Sequence, residues 1–172
     1  MDLRHELMEG RADVPRVGAV VPARRVHPPY IVLNGYDDEI EPITAYLRDL
    51  ALHDSSPLTV RSYGYGLLRW FRLLWLLGVG WENATEAETA VLAGWLRTAP
   101  NPQRQRKSAS GPAPGSVNLR TGKPVLRAGY APRTINHALS VVSGFYEFHA
   151  HQGNGPVRPG LRQSRREWVP CL

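Results

Sequence analysis

Apolar residues recur at helical spacing in four stretches of the chain, and nowhere do they alternate long enough to predict a sheet. Over 37–53, Ile40, Ile43, Tyr46, Leu47, Leu50 and Ala51 fall on one side of a helix, with Pro42 tolerated because it lies near the first turn. Ser56-Pro57 reads as an N-cap followed by a first helical position. The period then runs through Val60, Tyr63, Leu67, Trp70, Phe71, Leu74 and Leu77, and Gly78 ends it. Thr85 and Glu88 have the spacing of a capping box and open a shorter helix, with Ala87, Val91, Leu92, Trp95 and Leu96 inward and Pro100 as its stop. Pro132 starts the last helix, whose inner face is Ile135, Ala138, Leu139, Val142, Phe145, Tyr146 and His149, closing at Gly153.

The remaining segments lack a period. Residues 1–36 mix charges with Pro15, Pro22, Pro28 and Pro29 and read as an extended surface arm. Residues 99–130, rich in Pro, Gly, Ser, Arg and Gln, read as a flexible insert in which Asn118, Thr121 and Gly122 support at most a turn or small hairpin. Residues 154–172 read as a disordered tail. The expected architecture is all-α: a four-helix domain over 37–153, with an arm before it, a long insert ahead of its last helix, and a tail.

Length and charge narrow the class. A chain of 172 residues suits one domain without staples. Its lone Cys171 can form no internal disulfide, which fits a reducing cytoplasm. The longest apolar run is broken by Gly78 and is too short for a membrane span, and the acidic N-terminus lacks the order of a signal peptide. The expectation is a cytoplasmic protein with no membrane partner. Net charge is +6, which favours an anionic partner, most commonly nucleic acid. Much of that charge is in the insert, where Arg104, Arg106, Lys107, Arg120, Lys123 and Arg127 occur without a carboxylate.

Two helices carry a distinctive outer face. On the second, Arg61, Tyr65, Arg69 and Arg72 form a stripe away from the apolar side, and no carboxylate occurs from Ser55 through Trp81 to pair with them. The stripe is either a solvated face or a surface for phosphates and base edges. On the last helix, Arg133, Asn136, His137, Ser140 and Gly144 form a small, polar face. Small residues there let a backbone approach a duplex, or equally make a notch for helix packing.

In order and separation these helices resemble the N-terminal core-binding, SAM-like domain of the tyrosine recombinases, or phage integrases. The first block is Tyr46-Leu47-Arg48-Asp49-Leu50, Ser56-Pro57-Leu58-Thr59-Val60-Arg61-Ser62-Tyr63, Leu67-Leu68-Arg69-Trp70-Phe71 and Gly78-Val79-Gly80-Trp81. The second is Pro132-Arg133-Thr134-Ile135-Asn136 and Leu139-Ser140-Val141-Val142-Ser143-Gly144-Phe145-Tyr146. The resemblance spans roughly Tyr30 to Val157 and implies a helical bundle on one face of duplex DNA. It carries DNA contact onto Ser56, Thr59, Arg61, Arg69, Arg133, Thr134, Asn136 and His137; the outer faces add Tyr65, Arg72 and Ser140. Thr59 and Thr134 equally suit a capping role. Tyr63, Phe145 and Tyr146 belong to the expected core.

The family's catalytic domain has no counterpart in this sequence. No histidine is followed three residues later by arginine, no tyrosine follows Tyr146, and Gly155-Pro156-Val157 replaces the family's Asn-Pro junction. The expectation is therefore a DNA-binding chain with no catalytic centre, cofactor, metal or small-molecule substrate of its own. Its alternatives are a protein-interaction module that pairs with a recombinase catalytic domain or full-length integrase, through exposed Leu68, Trp75, Leu76 and the Trp168 tail, or a fragment of a decayed integrase. RNA binding through the insert is a weaker option, because residues 99–129 hold no stacking aromatic.

Overall fold

A computed structural model describes residues 2–101, 113, 115–124 and 129–154. Among these, five α-helices surround a single core, and one two-stranded sheet lies against them: α1 (Leu3–Met8), β1 (Ala19–Pro22), β2 (Tyr30–Leu33), α2 (Glu41–Leu52), α3 (Pro57–Leu77), α4 (Glu86–Thr98) and α5 (Pro132–His151). The four expected helices are present with their expected signals. Ser56 Oγ accepts from Thr59 N at the start of α3, and Gly78 ends that helix in the left-handed region at φ 66°. At α4 the Thr85–Glu88 capping box forms with both hydrogen bonds in place.

The first 36 residues form a short helix and a two-stranded hairpin where an extended arm was expected, and add these to a chain that is mostly helical. Asp2 caps α1 by accepting from Arg4 N, and α1 packs on α4 with Leu7 fully buried. Gly94 permits that contact, since a Cβ there would stand 2.8 Å from Met8 Cγ. Arg4 then pairs with Glu88 at 2.8 Å. Burial alone would raise the Glu88 pKa, but the hydrogen bonds from Arg4 and Thr85 outweigh it and hold the carboxyl below its ordinary value. Farther on, β1 and β2 pair antiparallel, Ala19 opposite Leu33 and Pro22 opposite Tyr30, and the hairpin lies on α3 with Val32 fully buried. One turn of helix and two four-residue strands are too short for a hydrophobic period to register, and the apolar run Tyr30–Leu33 carries no alternation.

The core joins α2, α3, α4 and α5. Trp70 Nε1 donates to Tyr146 Oη at 3.2 Å, and the Tyr146 hydroxyl donates to the Trp81 carbonyl at 2.7 Å, linking α3, α5 and the turn after α3. Phe145 is wholly enclosed, edge-on to Tyr46 and Phe71. His149 is buried with its ring 2.9 Å from the Pro42 carbonyl, which ties the end of α5 to the start of α2. Burial pushes its pKa down, against the opposing effect of that hydrogen bond. Leu68, expected on the surface, is 1% exposed. Trp75 is partly exposed, at 39%, and Leu76 is half-buried. Among the described residues, no helix is long and apolar enough to cross a membrane.

Part of the insert is described. Val117 and Pro124 form an isolated antiparallel bridge across a turn in which Gly122 N donates to the Asn118 carbonyl at 2.8 Å. Most of its arginines and residues 155–172 of the expected disordered tail, Trp168 included, lie outside the described residues.

Candidate nucleic-acid interface

α3 and α5 touch where neither carries a large side chain. A Cβ on Gly66 would stand 3.2 Å from Val141 Cγ1, so the glycine lets the two helices close on each other. On one side of this contact Tyr63 meets His137, ring centroids 5.8 Å apart; on the other Trp70 meets Tyr146. The N-terminal halves of the two helices are thus brought together.

Both halves carry exposed polar residues, and Leu58 in the first turn of α3 is exposed beside them. On α3, Ser56, Thr59, Arg61 and Tyr65 are exposed; on α5, so are Arg133, Thr134, Asn136, His137 and Ser140. Neither helix has an acidic residue in its first turn, in contrast to α4, where Glu86 and Glu88 face the helix dipole. Ala131, the N-cap of α5, supplies no side-chain cap, so the first-turn N–H groups have no side-chain acceptor at that position. Among the described residues, no carboxylate forms an ion pair with Arg61 or Arg133; the arginine pairs are Arg4–Glu88, Arg11–Glu9 and Arg25–Glu39.

Several of these side chains already have local tasks. The Thr59 hydroxyl is 2.9 Å from the Ser56 hydroxyl, inside the cap of α3, which favours the capping role. Ser140 donates back to the Asn136 carbonyl at 2.9 Å. Gly144 is a packing notch: a Cβ there would stand 2.6 Å from Tyr46 Oη, so the residue lies against α2 and not on a face open to a duplex. Arg61 places its guanidinium 5.6 Å from the Tyr65 ring centroid and 6.0 Å from that of Tyr30 on the hairpin.

The arginine stripe of α3 is divided. Arg61 remains exposed, whereas Arg72 donates from Nε and Nη2 to the carbonyls of Val17 and Gly18 and clamps the segment entering β1. Arg69 is half-buried with its guanidinium 4.8 Å from the centre of the Tyr130 ring. The reading of Arg72 as a cation available on an open face is therefore corrected: residues before the helix supply backbone acceptors that a search for nearby carboxylates overlooks. Tyr30 and Tyr130 join the arginines without having been expected there, because both lie in segments with no helical period. No described contact joins Arg133 or Thr134 to the stripe of α3.

No protein-family model, curated protein or solved structure matches this chain.

Proposed function

We propose that this chain binds duplex DNA through the N-terminal halves of α3 and α5, as a positioning module of the kind that accompanies a tyrosine recombinase catalytic domain. The observation that carries the proposal is that two helices packed at Tyr63–His137 and Gly66–Val141 hold exposed Arg61 and Arg133 in their N-terminal halves, lack first-turn acids, and have no carboxylate partner for either arginine among the described residues. Each element suits a phosphate: the guanidiniums supply charge-assisted hydrogen bonds, and helix N-termini present N–H groups and a positive dipole end. Asn136 and His137, one turn farther along α5, offer donors and acceptors of the type that reads base edges. The net charge of +6 adds long-range attraction to the same partner.

Binding dominated by phosphate contacts weakens steeply as salt rises, because each neutralised phosphate releases counterions. The test is a titration of the protein with a fluorescent duplex at about 50 mM and about 200 mM salt. Strong attenuation at the higher salt is expected, with the double variant Arg61→Glu/Arg133→Glu losing most binding while keeping its helical circular dichroism. Affinity indifferent to salt, or a folded double variant that binds as well as the parent, refutes the proposal.

A further inference from the structure

Away from the α3–α5 contact, a pocket of about 200 Å³ opens between the segment before β1, the middle of α3, the end of α4 and the residue that leads into α5. Arg16, Arg69 and Arg72 line it together with Asp13, Trp95 and Tyr130. Three guanidiniums around one small cavity are costly unless something negative accompanies them. Among the described residues the only carboxylate lining the pocket is Asp13, and its Oδ1 is already engaged, accepting from Val14 N at 2.8 Å and from Trp95 Nε1 at 3.1 Å. Among the described residues, it forms no ion pair with any of the three arginines.

Two of the cations are held in place before any ligand arrives. Arg72 is fixed by the Val17 and Gly18 carbonyls and Arg69 by the face of Tyr130, while Arg16 is exposed at the rim. Burial, and after it the nearby charges of Arg16 and Arg69, push the Arg72 pKa below the ordinary arginine value, so Arg72 feels both neighbours. Fixed donors around a concave site lose little freedom when an anion binds. The size of the cavity limits the anion, since pockets for drug-sized ligands span about 300–1,000 Å³ and a smaller one suits a phosphate group with its water better than a whole nucleotide.

We propose that this pocket is a phosphate-binding site in which Arg16, Arg69 and Arg72 hold one tetrahedral oxyanion. The site does not depend on DNA binding at the α3–α5 contact. Its position gives occupancy a consequence: Pro100 and Tyr130, on the two sides of the basic segment, both line the pocket, so a bound phosphate draws together both ends of that segment and the chain entering β1. The phosphate can come from solution or from a nucleic-acid backbone.

The test titrates the whole chain with inorganic phosphate at neutral pH, with sodium chloride adjusted to constant ionic strength, and reads calorimetric binding and the thermal midpoint. Saturable, phosphate-specific binding and a rising midpoint are expected. Arg16→Ala/Arg69→Ala is expected to weaken the apparent Kd at least tenfold. Should that variant fail to fold, Arg16→Gln alone, at an exposed position, is expected to weaken binding several-fold at unchanged helicity. Equal stabilisation by chloride, or a phosphate response unaffected in the folded variants, overturns the site. Arg61→Glu/Arg133→Glu separates the two proposals, because it is expected to lose DNA and keep phosphate. A short duplex that competes with phosphate assigns the anion to a strand backbone, and one that leaves phosphate affinity unaltered assigns it to solution.

Discussion

Arg61 and Arg72 stand on the same side of one helix, and the fold uses them in opposite ways. Spaced eleven residues apart, they point within about 20° of each other. Arg61 is exposed and rests beside two tyrosine rings, whereas Arg72 has given two of its donors to the backbone of the segment before β1. The difference comes from what lies between them. Leu68 occupies nearly the same angle as both, and Gly64 lies one turn before it; the hairpin and its approach dock on these two residues. A Cβ on Gly64 would stand 3.3 Å from Val20 Cγ1, and one on Gly18 would stand 3.0 Å from Leu68 Cδ1. The cationic stripe thus contains an apolar seam, and the arm closes over the half of the stripe that follows it.

Removing that seam is the most disruptive way to break the contrast. Leu68→Ala deletes a side chain that is 1% exposed and lies beneath the segment entering β1. Truncation of buried leucines costs about 2–5 kcal/mol, which is a large part of the stability of a domain this size. Urea denaturation is expected to show that loss, and protease sensitivity is expected to rise first between Asp13 and Tyr36, where the arm loses its footing. A surface leucine would show neither change. The next effect in size is that of Arg72→Ala, which leaves the Val17 and Gly18 carbonyls without their guanidinium donor. Hydrogen bonds to charged groups contribute roughly 1.5–3 kcal/mol, and solvent access at this half-buried position places the expected cost toward the low end. If Arg72→Ala denatures at the same urea concentration as the parent, the clamp contributes nothing and the two arginines are alike after all.

Leu68 and Arg72 mark the limit of what was legible in the sequence. The long helices announce themselves because a period of apolar residues repeats several times and because Ser56, Gly78, Thr85 and Glu88 supply caps whose chemistry is local. The arm does not, since its order comes from partners distant in sequence: Leu7 and Arg4 are placed by α4, and Val32 and Gly18 by α3. The same holds for the candidate surfaces. Exposure of Arg61, Arg133, Asn136 and His137 follows from helical spacing alone, but the spacing equally assigned Arg72 and Leu68 to an open face. Position on a helix fixes a direction and says nothing of what stands in it. One signal was present, in that Gly64 and Leu68 interrupt a polar stripe with a gap and an apolar residue one turn apart, which is how a docking seam looks in sequence. The Arg16–Arg69–Arg72 pocket had no such signal, because its members come from separate segments and meet only after the arm has packed.

Arg61→Ala sharpens the comparison from its other end and carries the smallest expected effect on the fold. The side chain is exposed and its described contacts are two ring faces, each worth about 0.5–1 kcal/mol at an exposed site before the entropy of holding the arginine is subtracted. A shift in unfolding free energy within about 0.5 kcal/mol is expected, against the several-fold larger loss at Arg72. DNA binding is expected to respond the other way. If Arg61 meets a phosphate, its removal lowers the salt slope of binding by about one contact, and Arg72→Ala, away from the α3–α5 surface and with two donors given to backbone carbonyls, leaves that slope nearly unchanged on folded protein when the pocket takes its phosphate from solution. Equal slopes for the two variants would place both arginines on the same surface and dissolve the division of the stripe. A larger loss of slope at Arg61 together with a larger loss of stability at Arg72 would mean that one helix face has been partitioned into a half that holds the arm and a half that remains open to a DNA backbone.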